Sequence, residues 1–285
     1  MPYRPHRSCL YLPGAKPRVL EKARTLPADT LIFDVEDSVL PEAKGEAAAA
    51  IDLALNTGGY GDRTLMVRIN GADTQWHQSE LAWLATSGAH GVLVPKVDSA
   101  EQLIAIDEDL ETLGASKDFA LWIMIETPGA VFELGQIAKV ASKTRLAALV
   151  LGTNDLAKSL EARNSPDRLA FLTTLSLTVA AARSAGILAI DTVYNDYNDD
   201  DGFRAECEQG RTLGFDGKTL IHPNQILGAN EIFSPSAEEL ADAKAIIQAF
   251  DAPENSSKGV LTVNGKMVER LHLDQARKLI EKARG

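Results

Sequence analysis

Charged side chains recur directly after short apolar runs of this chain. They are Asp34, Glu36 and Asp37, then Arg68, Lys96, Glu126, Asp155 and Asp191. If the apolar runs are strands of one closed parallel sheet, these ends converge, and at least four carboxylates share a small volume with Arg68 and Lys96. Burying unpaired carboxylates together costs several kcal/mol each, and a divalent cation is the simplest compensation. The pattern therefore predicts metal-assisted acid–base chemistry.

Glu126 and Asp155 form the best candidate pair of metal ligands. They follow neighbouring apolar runs, so a parallel sheet brings them to the same rim. Magnesium commonly takes one or two carboxylates and leaves its other positions to water and substrate oxygens. The alternative is that the acids cap the following helices or pair with Arg68 and Lys96.

The elements that must position these groups alternate along the chain. Eight short runs, hydrophobic on both faces as buried parallel strands are, are predicted as strands: Cys9–Leu12, Thr30–Val35, Thr64–Ile69, Gly91–Pro95, Ala120–Ile125, Leu146–Leu151, Ile187–Thr192 and Lys218–Ile221. Helical periodicity lies between them, often beginning with a proline in the first turn: Pro17–Leu26, Pro41–Leu55, Ala100–Leu113, Pro128–Ala141, Pro166–Ser184 and Gly202–Leu213.

Eight strand–helix units in order predict an α/β fold, a (β/α)₈ TIM barrel. An open doubly wound sheet is the rival, but it often has a glycine-rich first turn, and no GxGxxG occurs here. Beyond the barrel the sequence predicts a helix over Ser236–Phe250 and a polar linker over Asp251–Lys258. A hairpin at Asn264-Gly265 and a last helix over Leu271–Ala283 follow. We expect a catalytic domain over residues 1–235 and an extension over 236–285, packed on the barrel or on a neighbouring chain.

Composition excludes several classes of protein. The 285 residues are 45% hydrophobic and 24% charged, which is ordinary for a globular chain. A formal net charge of −11 argues against nucleic acid as a partner, because phosphate binding needs a basic face. Two cysteines are too few for a disulfide framework. Without a signal peptide or an apolar run of about 18 residues, we expect a soluble cytoplasmic protein and no membrane association.

Six blocks of sequence, in order, resemble the citrate lyase β-subunit-like family, which includes malyl-CoA and citramalyl-CoA lyases. The blocks are RSCLYLPG from Arg7, IFDVEDSV from Ile32, VRING from Val67, IETPG from Ile125, GTNDL from Gly152 and GFDGKTLIHP from Gly214. Together they cover nearly the whole chain.

The resemblance implies a homo-oligomeric barrel, a trimer or hexamer, that uses Mg²⁺. Its reaction makes or breaks a carbon–carbon bond in a malyl-, citramalyl- or citryl-CoA-like thioester, giving an acyl-CoA and a 2-oxo acid. Glu126 and Asp155 match the metal ligands, and Arg68 matches the arginine at the oxygen where negative charge develops. Tyr11, Lys16 and Lys22 match positions that contact coenzyme A, and an ammonium binds phosphate as a point charge.

Two departures from the family pattern bear on the site. Ala48 stands where family members often carry an arginine. Glu269 replaces an aspartate that reaches a neighbouring subunit's active site. The proton carrier is therefore expected to be Glu269 of a partner, or Asp37 or Glu36 of the same barrel.

Three alternative functions stay open at this point. A malyl-CoA thioesterase needs the same metal but delivers water to the thioester. An aldolase acts on free 2-oxo acids without CoA. A non-autonomous β-like subunit depends on an acyl-carrier partner.

Overall fold

The computed structural model describes residues 4–255 and 258–283. The chain divides into a unit over His6–Asn230 and a second unit that holds Arg4, Pro5 and the described residues from 231 onwards. Ser256 and Ser257 of the predicted linker Asp251–Lys258 lie outside the described residues, and the described part before them holds the last residue of a helix and the 3₁₀ turn Pro253–Asn255. The assignment of residues 1–235 to a catalytic domain and of 236–285 to an extension stays a prediction.

The first unit is a closed barrel of eight parallel strands in sequential order. The strands are β1 Ser8–Pro13, β2 Thr30–Asp34, β3 Thr64–Arg68, β4 Gly91–Val94, β5 Ala120–Ile125, β6 Leu146–Leu151, β7 Leu188–Asp191 and β8 Gly217–Leu220. Strand β1 pairs with both β2 and β8, which closes the sheet. The predicted (β/α)₈ barrel is confirmed, and each strand agrees with its prediction to within one residue at either end.

Side chains from seven of these strands form one buried apolar cluster. Its members are Cys9, Ile32, Met66, Leu93, Trp122, Met124, Ala148, Val150 and Ile190. Such layers of branched and aromatic side chains make the barrel centre a packed core rather than a pore. The polar residues that follow the strands are therefore held at the rim of a rigid scaffold.

Helices connect the strands. They are α1 Pro17–Ala23, α2 Lys44–Thr57, α3 His77–Leu84, α4 Ala100–Thr112, α5 Pro128–Lys139, α6 Thr153–Leu160, α7 Leu172–Ala185, α8 Asp200–Leu213 and α9 Gln225–Ile232. The sequence analysis did not predict α3, α6 and α9, each of which has only eight residues. Among the described residues, no helix combines the length and apolar character that crossing a bilayer requires.

The predicted helix Pro166–Ser184 begins later than expected. Only a short 3₁₀ turn, Leu169–Phe171, precedes α7. The reason is Arg168, whose φ of 53° lies in the left-handed region, while its guanidinium binds the buried carboxylate of Asp191. A left-handed residue cannot continue an α-helix, so α7 starts after it.

The second unit consists of two helices and a hairpin, as expected for the C-terminal extension. They are α10 Ala237–Asp251, β9 Val260–Val263, β10 Lys266–Glu269 and α11 Arg270–Lys282. Asn264 and Gly265, with φ of 50° and 75°, form the turn between the antiparallel strands, as Asn-Gly favours. Phe250, Val268 and Leu273 form the apolar core of this unit.

Candidate active site at the carboxyl end of the barrel

A pocket of about 380 Å³ lies in the barrel unit, and the residues that follow its strands line it. Its lining comprises Tyr11, Pro13, Asp34, Asp37, Ser38, Arg68, Met124, Leu151, Gly152, Asn154, Asp155, Thr192, Val193, Asn195, Thr219 and Ile221. These residues lie in the carboxyl-terminal halves of seven of the eight strands or directly after them. In (β/α)₈ enzymes this is the end of the barrel at which the chemistry takes place.

Arg68, at the end of β3, is the cation of this pocket. Its Nε and Nη2 donate to the two carboxylate oxygens of Asp34 at 2.7 and 2.8 Å. Its Nη1 lies 2.8 Å from Oε2 of Glu36, and its guanidinium carbon lies 4.7 Å from the centre of the Tyr11 ring. Burial alone would lower the pKa of Arg68, but Asp34 and its other partners raise it well above the usual value. The arginine is therefore permanently charged and fixed in orientation.

Glu36 and Asp37, the two candidate proton carriers of the barrel, have different surroundings. Glu36 is buried between Arg68 and Lys96, whose Nζ donates to Oε1 at 2.8 Å. Burial nevertheless raises the pKa of Glu36 above its usual value, outweighing both cations. Asp37 is exposed in the pocket, and its carboxylate lies 4.0 Å from Arg68. The alternative that acids pair with Arg68 and Lys96 thus describes Glu36, while Asp37 retains an accessible carboxylate.

Glu126, which follows β5, carries a buried carboxylate that forms no salt bridge with any described residue. Only 1% of the residue is exposed, and its Oε1 accepts the backbone N–H of Lys96 at 2.9 Å. Burial, then the charges of Glu36 and Asp155, raise the pKa of Glu126 to about 8. Within the described part of the chain, no lysine, arginine or histidine lies within 4.0 Å of this carboxylate. A buried carboxylate in this state requires either a proton or an added cation.

Lys96 contacts two acids at once. Its backbone binds Glu126 and its side chain binds Glu36, and its φ of 55° is left-handed. A non-glycine residue pays about 1–2 kcal/mol for that conformation. The two hydrogen bonds compensate this strain, and together they hold two acids at the rim of the barrel.

Asp155 lies in the first turn of α6, half-buried, and lines the pocket. The sequence analysis placed it at the end of the sixth strand, and the structure places it in the helix that follows that strand. Strands β5 and β6 are neighbours, with Ile125 paired to Leu151, so Glu126 and Asp155 stand at the same rim. The charge of Asp155 contributes to the raised pKa of Glu126.

This donor set fits a hard divalent cation. No group of three or more histidine, cysteine, aspartate or glutamate side chains suited to a metal occurs among residues 4–255 and 258–283. A site built from two carboxylates, Glu126 and Asp155, leaves room for water and substrate oxygens, as Mg²⁺ prefers. The pKa of Glu126, raised by burial and by two neighbouring acids despite the charge of Arg68, is the observation that favours such an ion.

Gly152, the residue before α6, makes room for the carboxylate of Glu126. A Cβ atom at this position would lie 2.7 Å from both Cβ and Oε2 of Glu126. Real Cβ atoms do not approach other atoms so closely, so any side chain here must displace Glu126. The glycine of the GTNDL block is thus required by the glutamate of the IETPG block.

Substitution of this glycine tests the pairing. In Gly152→Ala the added methyl group is expected to displace the Glu126 carboxylate and to weaken Mg²⁺ binding more than tenfold, at a stability cost of about 1–3 kcal/mol. Isothermal titration calorimetry with Mg²⁺ measures the first effect and urea unfolding the second. Gly135→Ala, at a helical position with no atom within 4 Å of an added Cβ, is the matched control. Unchanged Mg²⁺ affinity in Gly152→Ala would contradict the assigned role of Glu126.

The candidate CoA contacts lie on β1 and α1. Tyr11 lines the pocket and Lys16 is the exposed residue at the start of α1. Lys22 is exposed in the last turn of that helix, about 9 Å further along its axis. Lys16 is therefore near the rim, and Lys22 is farther from it.

Glu269, the fourth predicted acid, belongs to the second unit. It is the residue before α11, and its backbone N–H donates to Nδ1 of His272 at 2.9 Å. The role of Glu269 at a neighbouring subunit's site stays a prediction.

Two polar residues at predicted strand ends have other partners. Asp191 is completely buried and binds Arg168 at 2.8 Å, so it does not line the pocket as the sequence analysis expected. Asn70 is buried and donates to the carboxylate of Glu80. A carboxylate at a strand end can face either the pocket or the surrounding helices, and sequence position does not distinguish these directions.

Sequence reasoning also missed residues that shape the pocket. Asp34 was noted only as part of a strand end, yet it is the principal partner of Arg68. Met124 and Thr192 line the pocket and carry no motif of their own. The alternation of side chains along β5 could have predicted that Met124 lines the pocket. Met124 lies two residues before Glu126, so both side chains are on the same face of the strand.

Comparison with known proteins assigns the family. A family model described as HpcH/HpaI aldolase/citrate lyase matches residues 7–223, which include every candidate site residue of the barrel. The chain belongs to this family. The resemblance inferred from the six sequence blocks is confirmed.

Relatives within the family have different named activities. A (3S)-malyl-CoA thioesterase of Cereibacter sphaeroides is 47% identical over 281 residues, which cover 98% of this chain and 95% of the relative. The citrate lyase subunit beta of Escherichia coli is 34% identical over 98% of this chain and 94% of its own length. An L-malyl-CoA/beta-methylmalyl-CoA lyase of Cereibacter sphaeroides is 33% identical over 99% of this chain and 96% of its own length.

A solved structure agrees in fold over the full length. CitE of Mycobacterium tuberculosis, in complex with magnesium, acetoacetate and coenzyme A, superposes with a TM-score of 0.79 at 26% identity and covers 99% of both chains. This agreement supports the barrel and places the chain among family members of known architecture.

Proposed function

We propose that this protein hydrolyses a malyl-CoA-like thioester with the help of Mg²⁺, giving the free acid and coenzyme A. The observation that carries the proposal is the buried Glu126 carboxyl, whose pKa is raised to about 8 by burial, Glu36 and Asp155, and which has no lysine, arginine or histidine within 4.0 Å among the described residues. The 47% identity to a malyl-CoA thioesterase supports hydrolysis over the carbon–carbon cleavage first expected. The CitE complex with magnesium and coenzyme A supports both ligands.

Glu126 and Asp155 are the residues that would hold Mg²⁺. When bound, the ion supplies a Lewis acid that polarises substrate oxygens and orients the acyl group. The neighbouring Asn154 lines the same pocket, and its side-chain amide exchanges two hydrogen bonds with that of Asn195.

Arg68 stabilises negative charge on the reacting oxygen. Its Nε and Nη2 donate to Asp34, and its Nη1 donates to Sδ of Met124 and lies 2.8 Å from Glu36, so two of its five N–H donors remain for the substrate. Because the guanidinium is fixed before substrate arrives, little reorganisation accompanies the reaction. Such donors are typically worth about 3–4 kcal/mol of barrier each.

Asp37 is the candidate base for hydrolysis. Its carboxylate is exposed to the pocket, whereas Glu36 is engaged by two cations. Asp37 takes a proton from the attacking water, the water oxygen adds to the thioester carbonyl, and the carbon–sulfur bond breaks. The proton then passes to the departing thiolate, giving malate and coenzyme A. Lys16, exposed beside the pocket, is suited to the coenzyme phosphates.

Carbon–carbon cleavage is the second candidate. It is favoured by the identity of 33% to a malyl-CoA lyase and by Arg68, which can stabilise an enolate oxygen as well as a tetrahedral one. In that reaction a carboxylate removes the substrate hydroxyl proton, and the thioester stays intact. The homo-oligomeric state and the cytoplasmic location stay predictions.

Product analysis distinguishes the two reactions. Purified protein incubated with Mg²⁺ and malyl-CoA is expected to release malate and a free thiol, which a thiol reagent and chromatography quantify. Glyoxylate and acetyl-CoA without malate would establish the lyase instead. Activity that appears only with an acyl-carrier partner would identify a non-autonomous subunit. Asp155→Asn and excess chelator are the matched controls, and each is expected to stop turnover.

A further inference from the structure

Helix α6, which carries Asp155, begins without a capping side chain. The residue before it is Gly152, and no side chain of the cap residue accepts a hydrogen bond from the helix. Serine, threonine, aspartate or asparagine normally accepts from the unpaired N–H groups of a first turn. Here none of them fits, because the Glu126 carboxylate occupies the space of a side chain at position 152.

Thr192, directly after β7, provides the missing acceptor from the neighbouring strand. The backbone N–H of Thr153, the first residue of α6, donates to Oγ1 of Thr192 at 3.1 Å. The hydroxyls of the two threonines lie 3.0 Å apart, and both residues are buried. Helix α6 is thus anchored at its first residue, two positions before Asp155.

Thr192 is in turn held by a rigid buried network. Its N–H donates to Oδ1 of Asp191 at 2.8 Å. Nη1 of Arg168 lies 2.8 Å from both oxygens of that carboxylate, and Nζ of Lys218 lies 3.5 Å from Oδ2. The backbone oxygen of Asp191 accepts from the hydroxyl of Thr219 at 3.0 Å. These contacts fix the end of β7 with groups that are themselves excluded from water.

We propose that Thr192 is a positioning residue for the metal ligand Asp155. Its hydroxyl fixes the first turn of α6 relative to β7, which sets the direction of the Asp155 carboxylate toward Glu126. This inference rests on the proposed metal site. Groups that orient metal ligands without touching the metal commonly change its affinity 10–100-fold when they are removed.

Calorimetric titration of the whole protein with Mg²⁺, without substrate, tests the proposal. Thr192→Val keeps the shape of the side chain but removes the acceptor, and we expect Mg²⁺ affinity to fall about tenfold. Thr192→Ser retains the hydroxyl and is expected to restore wild-type affinity. Thr153→Val is the matched control: it removes the contact between the two hydroxyls but leaves the backbone N–H bound to Thr192, so affinity is expected to stay within twofold of wild type. Rescue by serine separates positioning from a general loss of packing.

The outcomes separate this inference from the metal site itself. If wild type binds Mg²⁺, Asp155→Asn does not, and Thr192→Val binds as wild type, the positioning role is overturned while the site stands. If Asp155→Asn binds Mg²⁺ as well as wild type, the site is wrong and the inference fails with it. Should Thr192→Val not fold, Thr192→Ala tests the same hydroxyl, and wild-type affinity in that variant overturns the proposal.

Discussion

Replacing Glu126 with glutamine is expected to lower Mg²⁺-dependent turnover roughly a thousandfold while the barrel stays folded, because a bound Lewis acid contributes several kcal/mol to the barrier. Glutamine keeps the oxygen that accepts the N–H of Lys96, so the local backbone has no reason to move. It lacks the charge that the cation needs. Turnover and Mg²⁺ affinity are measured on the same preparation.

The metal-free Glu126→Gln variant is expected to be at least as stable as wild type. Burial and the charges of Glu36 and Asp155 raise the pKa of Glu126 from 4.5 to about 8, so unfolding of the wild type releases a proton between these values. The free energy of unfolding of the wild type therefore falls relative to that of the variant as pH rises from 4.5 towards 8. Above pH 8 the difference between the two free energies stays constant. Urea unfolding across this pH range, in the presence of a chelator, measures this difference.

The control is Glu101→Gln, which replaces an exposed glutamate of α4. If Glu126→Gln were less stable than wild type at pH 8, the assignment would be contradicted.

Replacing Arg68 with lysine is expected to cost about 3–5 kcal/mol of stability and about a hundredfold in turnover. A lysine cannot bind both oxygens of Asp34 and Glu36 at once, and it cannot stack on Tyr11 as the planar guanidinium does. At least one buried carboxylate is left without its partner. Urea unfolding and steady-state kinetics measure the two losses.

Measurements at acid pH separate the contribution of ionised Asp34 to stability from the other contributions that Arg68→Lys removes. Burial alone would raise the pKa of this carboxyl, but Arg68 and the hydrogen bonds around it hold the pKa below its usual 3.8. Its stabilising contribution is present above 3.8 and is lost as pH falls through the lowered value. The stability difference between wild type and Arg68→Lys should therefore shrink in acid. Arg163→Lys, an exposed arginine, is the control, and a difference that does not change with pH would assign the loss to packing.

The fold could be predicted from sequence because its signals are local and repeated. Each strand is an apolar run such as Leu146–Leu151, and eight such runs in order leave few architectures. The helix α6 escaped prediction because its first turn depends on a residue 39 positions away, Thr192. Sequence periodicity contains no information about such a cap.

The sequence predicted which residues lie at the site, but it did not predict which other residues each of them contacts. Residue type and position brought Arg68, Glu126 and Asp155 to one rim. The direction of each side chain depends on tertiary contacts, and these assign Asp191 to a buried ion pair with Arg168. Likewise Glu36 and Asp37 are adjacent in sequence, yet only the structure shows that Glu36 is engaged by two cations.

Lys96 joins Glu126 to Glu36 through one residue, its backbone on one acid and its ammonium on the other. Since Glu36 also contacts Arg68, the candidate metal ligand and the arginine are linked by a continuous path of three hydrogen-bonded or ion-paired contacts. A change in charge at Glu126 is thus expected to alter the electric field at Arg68. Binding of the proposed Mg²⁺ at Glu126 is therefore expected to change the electrostatic surroundings of Arg68.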